Sequence, residues 1–398
     1  MERQPPRRWP PDVEVLAAQR PALRLAASSR LGRLRADGPI PDPPPRVADV
    51  AMFYGERSGG IRTYLREKSA YAERSGALEH HVIVPGRAEC HEGGWHELRA
   101  LRVAASNGYR IPLGVGALKS ALRAIAPDVV LLHDPFWGRL GVPELAQELG
   151  ATVVAVHHGS SRLNAAGLPG PKRVYEAAFR ALLRHSYERA DGVMSVADPG
   201  RDCRRAHVMP LRFGVDPAFR PRPALPRRAH VLYAGRLGRE KGLFELLEAA
   251  ARSREPWRLH LVGAGPAERF LAARARRLGI AERVLFLPWV RSRVRLARLF
   301  AEASCVAVTG PHETFGLVCL EAAASGASVV ACSSAPAAAA VGELAETFEA
   351  GDVDGLLAAI ERGRVRPPDL LGAAALADAW TWDRAFEAEL RDLVRVRS

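Results

Sequence analysis

"SCVAVTGPHETFGLVCLEAAASGASVVAC", residues 304–332, reads as strand, loop, helix, strand. The two flanking runs are short, apolar and rich in β-branched residues, as expected of strands buried on both faces. Between Phe315 and Gly326 only Glu321 and Ser325 carry polar side chains. A helix apolar on every side is a buried helix. Glu321 shares a face with Leu317, Val318 and Ala324, and burying an unpaired carboxylate costs several kcal/mol, roughly. It therefore needs hydroxyls, a cation or a proton. Two readings are open: a buried ion pair with an arginine, or recognition of a diol by two acceptor oxygens. Glu313 lies eight residues earlier, in the loop before a helix N-terminus that favours anions.

The same alternation continues outward. "HVLYAG" precedes a helix expected to open near Lys241, "WRLHLVGAG" one near Pro266, and "RVLFLPW" one over 292–303. An earlier series begins at Val47: "VADVAMFY", a loop with Gly59 and Gly60, a helix over 61–75, then "HHVIVP", "PDVVLLH", "ATVVAVHH", a helix over 171–189, and "DGVMSV". Strands alternating with helices imply parallel sheets covered on both faces. The segment "MPLRFGVDPAFRPRPALPRR" interrupts the series and reads as a linker. The expected fold is α/β, with two doubly wound Rossmann-like domains facing a central cleft. Its divisions are a flexible Pro/Arg-rich segment 1–46, an N-terminal domain 47–212, a linker 213–228, a C-terminal domain 229–377 and a closing helix in 378–398. Ligands of open α/β sheets sit at the carboxyl ends of the strands, so chemistry is expected in the strand-to-helix loops.

Composition sets bounds on function. The 398 residues are 48% hydrophobic and 25% charged, in the range of globular proteins. No apolar run is long enough to span a bilayer, and the first residues lack the apolar core of a secretory signal. A cytoplasmic location, at most peripheral at the inner membrane face, is the expectation. The first 46 residues hold ten of the thirty prolines and nine arginines; a short basic amphipathic helix over 13–34 is the one periodic stretch, and a transit peptide is the rival reading. Cys90, Cys203, Cys305, Cys319 and Cys332 are scattered and read as reduced thiols. His80, His81, His91 and His96 lack a compact ligand spacing, and "DVD" at 352–354 reads as a helix cap, so no metal is expected. The net charge of +13 suits nucleotides, acidic lipid headgroups or nucleic acid, without choosing among them. No aromatic-basic RNA signature accompanies it.

Two further motifs occupy strand-to-helix loops. In "AGRLGREKG", residues 234–242, Arg236 and Lys241 place two cations near a helix N-terminus, which suits a phosphate. In "LVGAGP", Gly263 and Gly265 permit close backbone approach to a ligand, or a simple tight turn. A sugar site, a phosphate site and a ribose site in order describe a nucleotide sugar.

"ETFGLVCLEAAASGASVVA" resembles the E-x7-E region of the retaining GT-B glycosyltransferases of family four, also called glycosyl transferases group 1. "GRLGREKG", "VGAGP", "RVLFLPWV" and "GVDPAF" resemble further motifs of that family in the correct order, "SGGIRTYL" its N-terminal glycine loop and "TWDRAFE" its final cross-over helix. The likeness extends over about residues 47–395. It implies that Arg236 and Lys241 hold the donor diphosphate and stabilise the leaving group. Glu313 would bind hydroxyls of the transferred sugar beside the backbone amides of Phe315, Gly316 and Leu317, and Glu321 would bind the ribose diol. Gly59 and Gly60 would lie near the diphosphate and acceptor, Gly263 near the donor, and Trp289 and Val290 near the base. A histidine after an N-domain strand would contact the sugar, with His158 slightly favoured over His157. Pro288-Trp289 and "SSAPAAAAVGEL" depart from the family pattern.

The resemblance thus implies a metal-independent, retaining hexosyltransferase. It would need no cofactor, taking a UDP- or GDP-sugar as substrate and an unidentified hydroxyl acceptor, with peripheral contact to an anionic membrane and no nucleic acid. A sugar-nucleotide 2-epimerase of the same fold and a non-catalytic basic binder of nucleic acid or membrane are the alternatives.

Overall fold

The structure, a computed structural model, describes residues 43–52, 54–55, 59–102, 110–112, 114–134, 140–158, 161, 170–196, 203 and 207–397. The basic helix expected within 13–34 lies outside the described residues.

The first unit is a nine-stranded sheet. Its strands are β1 (Arg46–Val50), β2 (Glu79–Gly86), β3 (Cys90–Glu92), β4 (Trp95–Arg102), β5 (Arg110–Pro112), β6 (Val129–Leu132), β7 (Thr152–His157), β8 (Gly192–Ser195) and β9 (His207–Pro210). They run in the order β3-β4-β2-β1-β6-β7-β8-β9, with β5 on β4. Pairing is parallel from β4 to β9 along that order, whereas β3 and β5 pair with β4 antiparallel. Helices α1 (Gly60–Ser75), α2 (Gly116–Ile125), α3 (Val142–Glu148) and α4 (Lys172–Tyr187) connect the strands. Buried β-branched runs such as "VVLL" in β6 explain why the central strands form where they do.

The second unit holds six parallel strands, β10 (Arg228–Ala234), β11 (Arg258–Val262), β12 (Val284–Leu287), β13 (Ala303–Val308), β14 (Val329–Cys332) and β15 (Ala345–Phe348), in the order β12-β11-β10-β13-β14-β15. Its helices are α5 (Leu243–Arg252), α6 (Glu268–Arg277), α7 (Arg293–Glu302), α8 (Leu317–Ala324), α9 (Pro336–Val341), α10 (Val353–Val365) and α11 (Leu370–Ala379). The all-apolar helix is α8, buried from Cys319 through Ala324. Asp352 caps α10 by accepting from the Gly355 amide at 2.8 Å, the role foreseen for "DVD".

Strand order locates the functional edge. In the second sheet the chain winds from β10 outward to β12, then resumes at β13 on the other side of β10. In the first it winds from β1 to β2 and resumes at β6 on β1's other side. These reversals are the switch points at which open α/β sheets leave a crevice. The last helix, α12 (Trp382–Arg397), returns to the first unit, where Phe386 packs on Tyr64 and Tyr71 of α1 with ring centroids 5.4 and 5.6 Å apart. Among the described residues no helix is long and apolar enough to cross a membrane.

Candidate active site

The loop after β10 is shaped by glycine. Gly263 has φ 148°, and a Cβ there would sit 1.9 Å from the Gly235 carbonyl oxygen; one on Gly265 would sit 2.3 Å from that of Leu237. The loops after β10 and β11 therefore lie backbone against backbone. The glycines of "LVGAGP" answer to that approach of one loop to the other. Lys241 does not open an α-helix as its position suggested. Arg239–Lys241 is a short 3-10 turn, Gly242 follows at φ 65°, and α5 starts at Leu243. The break is forced by β13's loop: the Thr309 hydroxyl donates to the Lys241 carbonyl at 2.7 Å, and a Cβ on Gly242 would meet the Thr309 carbonyl oxygen at 2.2 Å.

Across the switch point, Lys241 Nζ donates to Glu313 Oε1 at 2.8 Å, joining the loops after β10 and β13. Both side chains are mostly covered, 18% and 17% exposed. Gly310 makes room for this carboxylate, since a Cβ there would lie 2.7 Å from Glu313 Oε1. The neighbouring Arg236 pairs with Glu240. Gly316, at φ 97°, caps the N-terminus of α8, whose first amides have no acceptor within the helix. The loop from Pro311 to Gly316 is braced by "SSAPAAAAVGEL": Ser334 Oγ donates to the Pro311 carbonyl and the Ala337 amide to that of Phe315, each at 2.8 Å. Opposite stands the N-terminus of α1, where a Cβ on Gly60 would be 3.7 Å from Leu317 Cδ1. Gly59 precedes it as the α1 cap. The strand-end loops of the two sheets thus face one another.

Glu321 is 5% exposed, and its partner is a cation. Arg293 at the start of α7 donates from Nη1 to Glu321 Oε1 at 2.9 Å and from Nη2 to Thr63 Oγ1 of α1 at 2.8 Å. The ion-pair reading of the buried carboxylate is the one the geometry displays, and the same guanidinium bridges the two units. Burial pushes the Glu321 carboxyl up to about 7, against the opposing pull of Arg293. Burial likewise raises Glu67, with Asp216 adding to the rise. The Phe315 side chain stacks on Phe213 of the connecting segment with ring centroids 4.7 Å apart, fixing the loop before α8 to the linker. Trp289 and Val290 follow the edge strand β12; Trp289 is 39% exposed, with the Arg291 guanidinium 5.9 Å over its ring.

His157, the last residue of β7, and His158 after it part as strand alternation requires. His157 Nδ1 meets the Tyr187 hydroxyl at 2.5 Å, while His158 Nε2 lies 2.7 Å from His133 Nδ1 with the rings stacked. His133 and Asp134 follow β6 beside the first sheet's switch point, and Asp134 accepts the Met52 amide at 2.7 Å. Sequence reasoning singled out none of His133, Asp49, Lys68, Arg293, Thr63 or Gly310. The "LLHD" at the end of a strand was the one available signal. The histidines at 81, 91 and 96, scattered in sequence, come together on β2, β3 and β4: His96 lies 3.1 Å from His81 and 2.9 Å from His91. Among the described residues no group of His, Cys, Asp or Glu is arranged to hold a metal ion.

Two Rossmann-like sheets with facing switch points, one carrying a Lys–Glu pair beside the N-terminus of α8, form a two-domain cleft of the GT-B type. The chain belongs to the family-four, group 1 glycosyltransferases: residues 216–362 match the family described as "Glycosyl transferases group 1" and residues 58–210 "Glycosyltransferase Family 4". It is 30% identical over 315 residues to a GDP-mannose-dependent alpha-(1-6)-phosphatidylinositol dimannoside mannosyltransferase of Mycobacterium tuberculosis, spanning 72% of this chain and 78% of that one. A D-inositol 3-phosphate glycosyltransferase of Xylanimonas cellulosilytica is 33% identical over 259 residues, 58% of this chain and 59% of that one. Among solved structures, the sucrose-phosphate synthase of Thermosynechococcus elongatus superposes with a TM-score of 0.73 at 20% identity, over 88% of this chain and 98% of that one. The protein is accordingly an enzyme, a glycosyltransferase.

Proposed function

We propose that the enzyme moves a hexose from a nucleotide sugar, with GDP-mannose the leading candidate, to a hydroxyl of a glycan or lipid-linked acceptor, with retention of configuration and without a metal. The observation that carries this is the Lys241–Glu313 pair at the C-domain switch point. Without donor the two groups neutralise one another. A donor would part them, its diphosphate taking Lys241 and Arg236 and its sugar hydroxyls taking Glu313. For Lys241 and Glu313, donor recognition then replaces one charged hydrogen bond with others and leaves neither of the two unpaired.

The amides of Phe315, Gly316 and Leu317 would add the positive end of α8 at the diphosphate. Gly59 and Gly60 would let the backbone of α1 approach it from the other side, while Gly263 would keep the β10 and β11 loops in register. Glu321 Oε1 is engaged by Arg293, so the ribose diol would meet Oε2; Trp289 and Val290 would flank the base. The sugar C1–phosphate oxygen bond breaks, the acceptor oxygen bonds to C1 on the same face, and the acceptor proton passes to the departing phosphate oxygen. Arg236, Lys241 and the α8 N-terminus supply the positive charge that a metal supplies in other transferases. His158, or His157, would contact the transferred sugar from the N-domain.

The GDP-mannose preference and a lipid-linked acceptor are supported by the mycobacterial relative named above. The +13 charge favours a peripheral position on an anionic cytoplasmic membrane face. Nothing in the family favours the epimerase or the non-catalytic binder. The test is release of GDP from GDP-mannose in the presence of phosphatidylinositol mannosides and excess EDTA. Acceptor-dependent release with an α-linked product supports the proposal. Inactivity restored by a divalent cation contradicts metal independence, and turnover of UDP-glucose alone contradicts the donor.

A further inference from the structure

Behind His158 the first unit contains a buried charged network. Asp49, in the middle of β1, is fully buried. Its Oδ2 lies 2.8 Å from His80 Nε2 and 2.9 Å from Lys68 Nζ, and its Oδ1 lies 2.5 Å from His133 Nε2. Lys68 also lies 2.7 Å from Glu389 Oε1, contributed by α12, and the Tyr64 hydroxyl donates to Glu389 Oε2. Lys68 and Glu389 are each 1% exposed. The ammonium sits between the two carboxylates as an ion-pair contact, without the angles of aligned hydrogen bonds. A bare core of this polarity is costly, and a hydrophobic replacement would serve stability as well.

The directions of the hydrogen bonds follow from the charges. Burial alone would raise the Asp49 carboxyl, but Lys68, His133 and His80 together hold it well below the usual carboxylate range. An ionised carboxylate only accepts, so His133 Nε2 carries a hydrogen. A His133 ring carrying that one hydrogen offers Nδ1 as an acceptor, and the partner 2.7 Å away, His158 Nε2, then donates to it. Burial, with His133 and His157 adding to it, holds His158 well below the usual histidine range, which keeps it neutral. His158 Nδ1 is left with a lone pair.

We propose that Asp49 and His133 are positioning residues that fix His158 as its Nε2–H tautomer, presenting Nδ1 as a hydrogen-bond acceptor for a substrate hydroxyl. This rests on the glycosyltransferase reading for the hydroxyl's identity, but not for the tautomer. Lys68 helps keep Asp49 ionised, and Glu389 in turn holds Lys68 charged, so the returning C-terminal helix contributes a charge to the network behind the N-domain's cleft edge. The logic is that of a buried carboxylate setting a functional imidazole, with a second imidazole interposed.

Two measurements test it. Long-range nitrogen–proton spectra of the wild-type protein labelled with 15N-histidine should show His158 protonated on Nε2 and bare on Nδ1. The opposite tautomer, or an even mixture, overturns the proposal whatever the protein's activity. In the kinetic arm, GDP release from GDP-mannose is followed for His133→Phe, His133→Gln, His158→Ala and the double variant His133→Phe/His158→Ala. Loss of orientation in His133→Phe should lower kcat by about 10- to 100-fold. His133→Gln, which keeps a donor and an acceptor, should recover part of that. In the His158→Ala background the same His133→Phe change should cost less than about twofold, because the two act as one unit. Equal losses in both backgrounds overturn the proposal. A wild type that releases no GDP counts against the donor reading, and the tautomer spectra then decide this inference.

Discussion

Removing the Lys241 ammonium leaves the Glu313 carboxylate in a site where each side chain is less than a fifth exposed. A charged hydrogen bond at 2.8 Å in such a position contributes about 1.5–3 kcal/mol. Lys241→Ala should therefore destabilise by about 2 kcal/mol, lowering the melting temperature by about 4–8 °C. Glu313→Gln should cost a similar amount, because it strands the ammonium instead. The double variant should be only slightly worse than either, giving a coupling energy of about 1–2 kcal/mol. Function should separate the two residues. Lys241→Ala should weaken GDP itself and lower kcat by about 10²–10³-fold, the loss expected when one charge-stabilising group is removed. Glu313→Gln should not weaken GDP, because Lys241 then no longer has to be parted from a carboxylate. The assay is thermal denaturation of all four proteins with and without saturating GDP, alongside initial rates of GDP release. Strictly additive destabilisation would refute the pairing. A folded Lys241→Ala protein with near-wild-type turnover would refute the phosphate role.

Other substitutions test other parts of the site. Gly310→Ala adds a methyl whose nearest neighbours are side-chain atoms of Glu313, which can shift, so stability should change by less than about 1 kcal/mol while GDP release falls about 10-fold or more; unchanged kinetics would contradict the packing. Gly242→Ala puts a Cβ into the Thr309 carbonyl at positive φ, and chemical denaturation should show a loss of about 2–4 kcal/mol. The Glu321 carboxyl, raised from 4.5 to about 7, binds a proton in the folded state that the unfolded chain has released. Stability should therefore fall as pH rises between those values, by about 3 kcal/mol, and Glu321→Gln should remove that slope in urea titrations at pH 5 and pH 8. Donor affinity should rise across the same window, since only the ionised carboxylate accepts both ribose hydroxyls.

Much of this arrangement is legible in the chain itself. The alternation of apolar runs and helices implies two parallel sheets, and the apolar surroundings of Glu321 mark α8 as buried. Those are local signals, carried by neighbours within a few residues. The elements that escape reading carry no such signal. β3 is exposed at every position and lies in "CHEGGWHE", which has no apolar face. The Lys241 turn is broken by Thr309, a residue close in space and distant in sequence. Arg293 settles Glu321's partner from another helix, and only the fold brings it there. Asp49 is one acid in "VADV", and its significance depends on Lys68, His133 and a glutamate from the last helix. Sequence patterns expose burial well. They expose the partners of buried charges poorly, because those pairs form between elements that are brought together only when both sheets are complete.

Calorimetric titration of the wild type and Glu313→Gln with GDP and with GDP-mannose addresses the central claim, that the β13 loop grips the sugar of a nucleotide donor. The account predicts that the wild type binds GDP-mannose more tightly than GDP, and that Glu313→Gln abolishes this increment while leaving GDP binding intact. Equal weakening of both ligands by Glu313→Gln, or a wild type indifferent to the mannose, would contradict it.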